Sequence, residues 1–145
     1  MNGLLRSPVC NCLTTKNILE KLAHYSPLIA RVFIAAMFIP AGLSKMGDIA
    51  GFTGYLTSGG LPGFLAWPSA IFEVALGLAL LIGVQTRIMS LAGAGFCIVA
   101  ALLYHANFAD QIQTAMFFKN FAIAGGFLMF FAHGPGALSL DARKA

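Results

Sequence analysis

Glu73 is the single acidic side chain in a 21-residue apolar run, Phe64 to Val84. A bilayer core is about 30 Å thick and a helix rises about 1.5 Å per residue, so a run of this length crosses it. An ionised carboxylate at the midplane costs several kcal/mol on insertion. Glu73 must therefore be protonated, face a water-filled cavity or meet a cation. Carboxylates and imidazoles exchange protons with bound substrates, which makes Glu73 and His105 the candidates for catalytic proton handling. Arg31, Lys45, Arg87, Lys119 and Asn120 stand in or beside other apolar runs and form the candidate buried polar network around them. The same set also serves a plainer purpose, in which the charges only decide which helix lies beside which.

Redox chemistry by the chain alone would need a thiol pair, a metal, a haem or a bound quinone. Cys10, Cys12 and Cys97 form no CxxC and have no ligand partner at metal-site spacing. No metal centre and no disulfide framework are expected. His105 and His133 fall near opposite membrane faces and His24 lies outside the spans, so no opposed pair is offered to a haem. A quinone is the cofactor that remains. Apolar helices would hold its ring while a carboxylate or imidazole exchanges protons with it.

The elements that must position these groups follow from composition. The chain has 145 residues, 59% hydrophobic and 10% charged, with a mean hydropathy of +0.83. Soluble domains carry about a quarter charged residues, so this is a membrane protein. Four spans consume about 80 residues and leave short loops, which predicts one antiparallel four-helix bundle. Lys and Arg are scattered singly despite the net charge of +4, which argues against nucleic acid as a partner. No removable signal peptide is read in residues 1–27.

Residues 1–27 read as an N-terminal segment, 28–136 as the four-span domain and 137–145 as a polar, solvated tail. Asn17 followed by Glu20 resembles a helix start, and Ile18, Leu19, Leu22 and Tyr25 share a face. That predicts a short surface helix ending before Pro27. The first span is expected over about 28–44, with Arg31, Ala35, Phe38, Gly42 and Lys45 on one stripe. Asp48 should cap a short interfacial helix stopped by Gly59-Gly60, with Ile49, Phe52, Tyr55 and Leu56 on one face. The second span places Ala66, Ala70, Glu73, Gly77 and Leu80 together, so a partner helix can approach closely at the carboxylate. The three-residue link Gln85-Thr86-Arg87 forces the third span, about 88–104, to run antiparallel beside it. Its expected stripe is Arg87, Leu91, Ala94, Ile98, Ala101 and His105. The fourth span, from about 115 to 131 or 133, has the stripe Lys119, Ile123, Gly126, Phe130 and His133. Ala122 and Gly126 offer it a small packing face, and Gly134-Pro135-Gly136 ends it.

The cations are more numerous at the terminal side, which by the positive-inside rule puts both termini in the cytoplasm of a bacterial inner-membrane protein. Lys45, His105, Lys119 and Asn120 then gather at the outer mouth, and Arg31, Arg87 and His133 at the inner one. Glu73 lies between the two groups.

In order and spacing, the chain closely resembles the DoxX family of small four-span bacterial membrane proteins from Arg31 to Asp141. The resemblance runs through Ala41-Gly42 with Lys45, Gly60-Leu61-Pro62-Gly63, Glu73 with Gly77 and Gly83, and Thr86-Arg87. It continues through His105 to Phe108, Phe118-Lys119-Asn120, and Gly134-Pro135-Gly136 with Ser139 and Asp141. Two departures are visible. The glycine-rich run that often follows the glutamate reads Val74-Ala75-Leu76-Gly77, and the segment with Cys10 and Cys12 is longer than usual. The resemblance implies a four-helix bundle and a link to quinone-dependent sulfur-oxidising or respiratory assemblies. The leading expectation is a bilayer-embedded subunit or adaptor of an oxidoreductase, with a quinone site and room for a homo-oligomer. The alternatives are a quinone-reactive enzyme in its own right and a pathway for a small solute or protons.

Overall fold

A computed structural model describes residues 8–144, with side chains from residue 16 onward. In chain order it contains α1 (Pro8–Gly47), α2 (Ile49–Ser58), a single 3-10 turn (Gly63–Leu65), α3 (Ala66–Ile82), α4 (Thr86–Tyr104), α5 (Gln111–His133) and α6 (Leu140–Lys144). There is no strand among the described residues. The segments Lys16–Gly47, Gly63–Ile82, Thr86–Tyr104 and Gln111–His133 are each long and apolar enough to cross a membrane. The chain is thus an all-α membrane bundle of four spans, as expected.

The N-terminal expectation needs correction. Asn17 and Glu20 lie inside α1, which runs on through Pro27 without a break. A proline removes one N–H and frees the carbonyl four residues earlier, here that of Ala23. The Ser26 hydroxyl donates to this carbonyl at 3.1 Å. The freed acceptor is therefore satisfied and the helix continues. The side chains of Cys10 and Cys12 lie outside the described residues.

The bundle is built from two hairpins. α1 packs along α3 and α4 along α5, whereas α3 and α4 touch much more sparsely. Glycines on both helices of the first hairpin permit its close approach. A methyl group at position 42 would stand 2.8 Å from the Ala70 carbonyl oxygen, and one at position 77 would stand 2.6 Å from Ile39 Cγ1. In the second hairpin the Phe127 ring lies over Gly93, where a methyl group would approach its Cζ to 2.7 Å. Phe38, Leu76, Leu80, Ala94, Cys97, Ala124 and Phe127 join the two hairpins in one core. Phe38 and Phe127 meet edge to face across it at 5.4 Å.

The expected stripes of α1 and α3 are the packed ones: Arg31, Ala35, Phe38 and Gly42 are buried, as are Ala66, Ala70, Glu73, Gly77 and Leu80. Those of α4 and α5 are offset. Thr86, Ser90, Gly93, Ala94, Cys97 and Ala101 face inward on α4, while Arg87 and Leu91 are exposed. On α5 the buried residues are Ala124, Phe127 and Phe130, and Ala122 and His133 are exposed. The offset is partial: Ala94, Ala101 and Phe130 of the expected stripes are buried, and it is Arg87, Leu91, Lys119 and His133 that are exposed. On α4 small residues mark the packed face, whereas on α5 Phe127 and Phe130 fill it and the small Ala122 is exposed.

The tail is also corrected. Its side chains are mostly exposed, but residues 138–141 also fold back onto the α3–α4 link, with Ser139 buried. The Asp141 carboxylate accepts from the Gln85 N–H at 2.9 Å and the Thr86 N–H at 2.8 Å, and its own N–H donates to the Gly83 carbonyl at 2.9 Å. Gln85 precedes α4 in a left-handed conformation (φ 46°) and its side chain makes no cap. Asp141 takes that role from 55 residues downstream.

Candidate functional site

Above the shared core the hairpins diverge and enclose a cavity of about 510 Å³. It sits where α1 and α4 end and where α3 and α5 begin. α2 closes one side. Asp48 caps that helix by accepting from the Gly51 N–H at 3.0 Å, and Phe52 and Leu56 turn inward. The Tyr104 hydroxyl donates to the Leu56 carbonyl at 2.9 Å, and the Tyr55 ring stacks on the Tyr104 ring at 4.7 Å.

Glu73 is in the wall of this cavity, only 3% exposed. The ammonium of Lys45 donates to its Oε1 and stands 5.0 Å over the Phe52 ring. The close approach at Gly42 favours this pairing: α1 and α3 run antiparallel, and a methyl group at position 42 would fall against Ala70 and Val74, the residues that bracket Glu73, so the helix backbones are close where Lys45 reaches across. Glu73 Oε2 is buried without a hydrogen-bond partner among the described residues.

Three further candidates line the same cavity: His105, Lys119 and Asn120. His105 Nδ1 lies 2.7 Å from the Gln113 Oε1 acceptor, so Nδ1–H donates to it. Lys119 is exposed and its ammonium lies 2.9 Å from Met116 Sδ. Asn120 Nδ2 donates at 2.9 Å to the Met116 carbonyl in its own helix. Five of the seven predicted residues therefore share one cavity, and Lys45 alone bonds to Glu73.

Arg31 and Arg87 lie at the opposite end of the bundle from the cavity, and neither bonds to Glu73. Arg31 is fully buried, donating from Nη1 to the Leu80 carbonyl at 3.3 Å and from Nη2 to the Leu138 carbonyl. It ties the end of α3 to the returning tail, and a cation there suits the negative end of the α3 dipole. Arg87 is exposed and passes near Gly134 at the same end of the bundle. Between the two sites lies the packed core, with Phe38 and Phe127 at its centre.

Sequence reasoning missed the aromatic lining, notably Phe96 and Tyr104, and the free Cys97 in the cavity wall. Position at a span end was the one sign that Tyr104 carried. Among the described residues no cluster of three or more His, Cys, Asp or Glu side chains could hold a metal ion.

Four spans in two hairpins, with an ion pair walled into the cavity between them, define a small helical membrane protein with an intramembrane polar site. The chain belongs to the DoxX family, whose model matches residues 26–106. It is similar to inner membrane protein YqjF of Escherichia coli (strain K12), 41% identical over 123 residues that cover 85% of this chain and 95% of that protein. It is also similar to inner membrane protein YphA of the same strain, at 32% identity over 124 residues, 80% of this chain and 88% of that one. No solved structure matches.

Proposed function

We propose that this chain is an inner-membrane subunit of an oxidoreductase system that binds a quinone-type ring in the cavity between its hairpins, with both termini cytoplasmic. The observation that carries the reading is the pairing of Glu73 with Lys45 in the wall of a largely apolar cavity with several aromatic rings in its lining. Ligand sites are commonly concavities of about 300–1,000 Å³, apolar except for a few placed polar groups, and a volume of about 510 Å³ lies within that range. Phe38, Phe52, Phe96 and Tyr104 offer ring faces and edges, while Lys45 retains unused ammonium donors for a ring oxygen. Glu73 and His105 are assigned the proton handling, and Lys119 and Asn120 the polar margin. A quinone supplies two-electron redox chemistry when bound. The named side chains hold the ring and move its protons.

The test is saturable quinone binding to the purified protein in lipid nanodiscs, with empty nanodiscs subtracted. Binding by the wild type and its loss in Glu73→Gln are expected. Equal binding by both proteins, or none by the wild type, would refute the reading.

An adaptor with no ligand of its own is the second reading. It is favoured by the exposed Ile18, Leu19, Leu22 and Tyr25, which leave an apolar face on the α1 extension. A photocrosslinker at Leu22 that captures a redox protein, in a chain that binds no quinone, would establish it. The core packed beneath the cavity counts against a pathway for solutes or protons.

A further inference from the structure

We infer that the cavity selects rings that bear an ionised acidic substituent, and that Lys119, together with Lys45, receives the anion. This rests on the ring-binding reading above and specifies the charge of the ligand.

The starting point is the balance of charge around the cavity. Its charged lining side chains are Lys45, Glu73 and Lys119, so two ammonium groups face one carboxylate and leave a formal excess of one positive charge. The charges also differ in reach. Glu73 is 3% exposed and bonded to Lys45, whereas Lys45 is 30% exposed and Lys119 is exposed. An entering molecule therefore meets the ammonium groups more readily than the carboxylate.

No other group neutralises the excess. The pairing of Lys45 with Glu73 is the one salt bridge among the described residues, so Lys119 has no carboxylate partner there. Asp48 and Asp110 stand at the same end of the bundle, but their carboxylates cap α2 and α5 and neither lines the cavity. The polar groups of Ser69, Cys97, Tyr104 and Asn120 in the wall are neutral. Lys119 itself lies eight residues into α5, about 12 Å along its axis, in a span where a charge without a partner is costly. Its one contact, Met116 Sδ at 2.9 Å, is a weak acceptor.

A neutral quinone can accept from Lys45 through a carbonyl, but it brings no countercharge for Lys119. A ring with an ionised hydroxyl brings a full negative charge and several lone pairs into the same space. Hydrogen bonds between ionised partners are about twice as strong as neutral ones, and an apolar wall screens them little. The anion should therefore bind about tenfold or more tightly than a neutral ring of the same shape.

The experiment uses the full-length protein in zwitterionic nanodiscs at neutral pH, with empty nanodiscs subtracted. The probes are 2-hydroxy-3-methyl-1,4-naphthoquinone, which is ionised there, and its neutral 2-methoxy counterpart. Tighter binding of the hydroxyquinone, by about tenfold or more, is expected from the wild type. Lys119→Met should bring the two affinities together, and Lys119→Arg, which keeps the charge, should hold them apart. If Lys119→Met does not fold, the wild-type comparison decides alone. A methoxyquinone that binds as tightly as the anion, or a preference that survives Lys119→Met, overturns the inference and leaves the ring-binding reading standing. Absence of saturable binding by both probes removes both.

Discussion

Lys45 in the last turn of α1 bonds to Glu73 in the middle of α3, and the two side chains are unequally sheltered, at 30% and 3% exposure. The glutamate depends on the lysine more than the reverse, because the lysine keeps some access to solvent. Removing either partner leaves a charge in an apolar wall, and removing both does not. Lys45→Met and Glu73→Gln should each destabilise by about 1–3 kcal/mol, and the double variant by clearly less than their sum. Denaturation in mixed micelles, read as a double-mutant cycle, checks this; strict additivity would show that the pair is not coupled.

Gly42 makes that pairing geometrically accessible. The Cβ of Gly42→Ala would stand 2.7 Å from Val74 Cγ2 and 2.8 Å from the Ala70 carbonyl oxygen. Backbone cannot yield as a flexible side-chain tip can, so α1 and α3 must separate. A loss of about 1–3 kcal/mol is expected. A methyl group at Gly95 meets nothing within 4 Å, so Gly95→Ala should be tolerated and serves as the control.

Asp141 holds the tail against the start of α4, and its ionisation should govern that docking. Burial opposes the charge, but the Thr86 and Gln85 hydrogen bonds and the nearby Lys144 outweigh it and hold the carboxyl below the ordinary aspartate value. A carboxyl depressed in the docked state adds stability above its free value and loses it as pH falls through the docked value. A spin label at Ala142 should thus remain immobile at neutral pH and gain mobility only below the ordinary aspartate range. Asp141→Ala should free the tail at every pH and cost about 1 kcal/mol, the usual effect of a lost helix cap.

Arg31 anchors the same tail from inside the bundle. Arg31→Met would keep much of the side-chain volume but leave the Leu80 and Leu138 carbonyls without their donor. Faster hydrogen exchange is expected over residues 138–142 and the end of α3, with ligand binding in the distant cavity unchanged. Loss of binding with an undisturbed tail would contradict the separation of the two sites.

Tyr104 fastens α2 over the cavity through one hydrogen bond to Leu56 and a ring stack on Tyr55. Tyr104→Phe removes the first and retains the second. A loss of about 0.5–1.5 kcal/mol and faster exchange confined to α2 are expected.

Much of this architecture was legible before any coordinates. Apolar runs long enough to cross a bilayer identify four spans, because backbone in lipid must satisfy its own hydrogen bonds and a helix does so within one segment. Asp48 and Gly59-Gly60 bounded α2 through capping chemistry that acts over a few residues. On α1 and α3, charge and small residues coincided on the same stripe, so the packed face could be read directly. On α4 and α5 they diverged in part: Ala94, Ala101 and Phe130 of the expected stripes are buried, but Ser90, Gly93, Cys97, Ala124 and Phe127 were not read as packed. Nor could Ser26 be matched with the carbonyl that Pro27 frees, because Pro27 reads locally as a helix boundary.

Sequence alone therefore determined that one carboxylate lies within a lipid-spanning helix, with several cations within reach of its neighbours. Tertiary structure alone decided that Lys45 meets it, that Arg31 turns instead to the tail, and that Asp141 caps a helix 55 residues upstream. The physical reason is range. Hydropathy and capping act along one segment, whereas partnership between side chains depends on how closely two helix backbones approach. Here that distance was set by the glycines at 42 and 77 and by the way two hairpins close over a shared core.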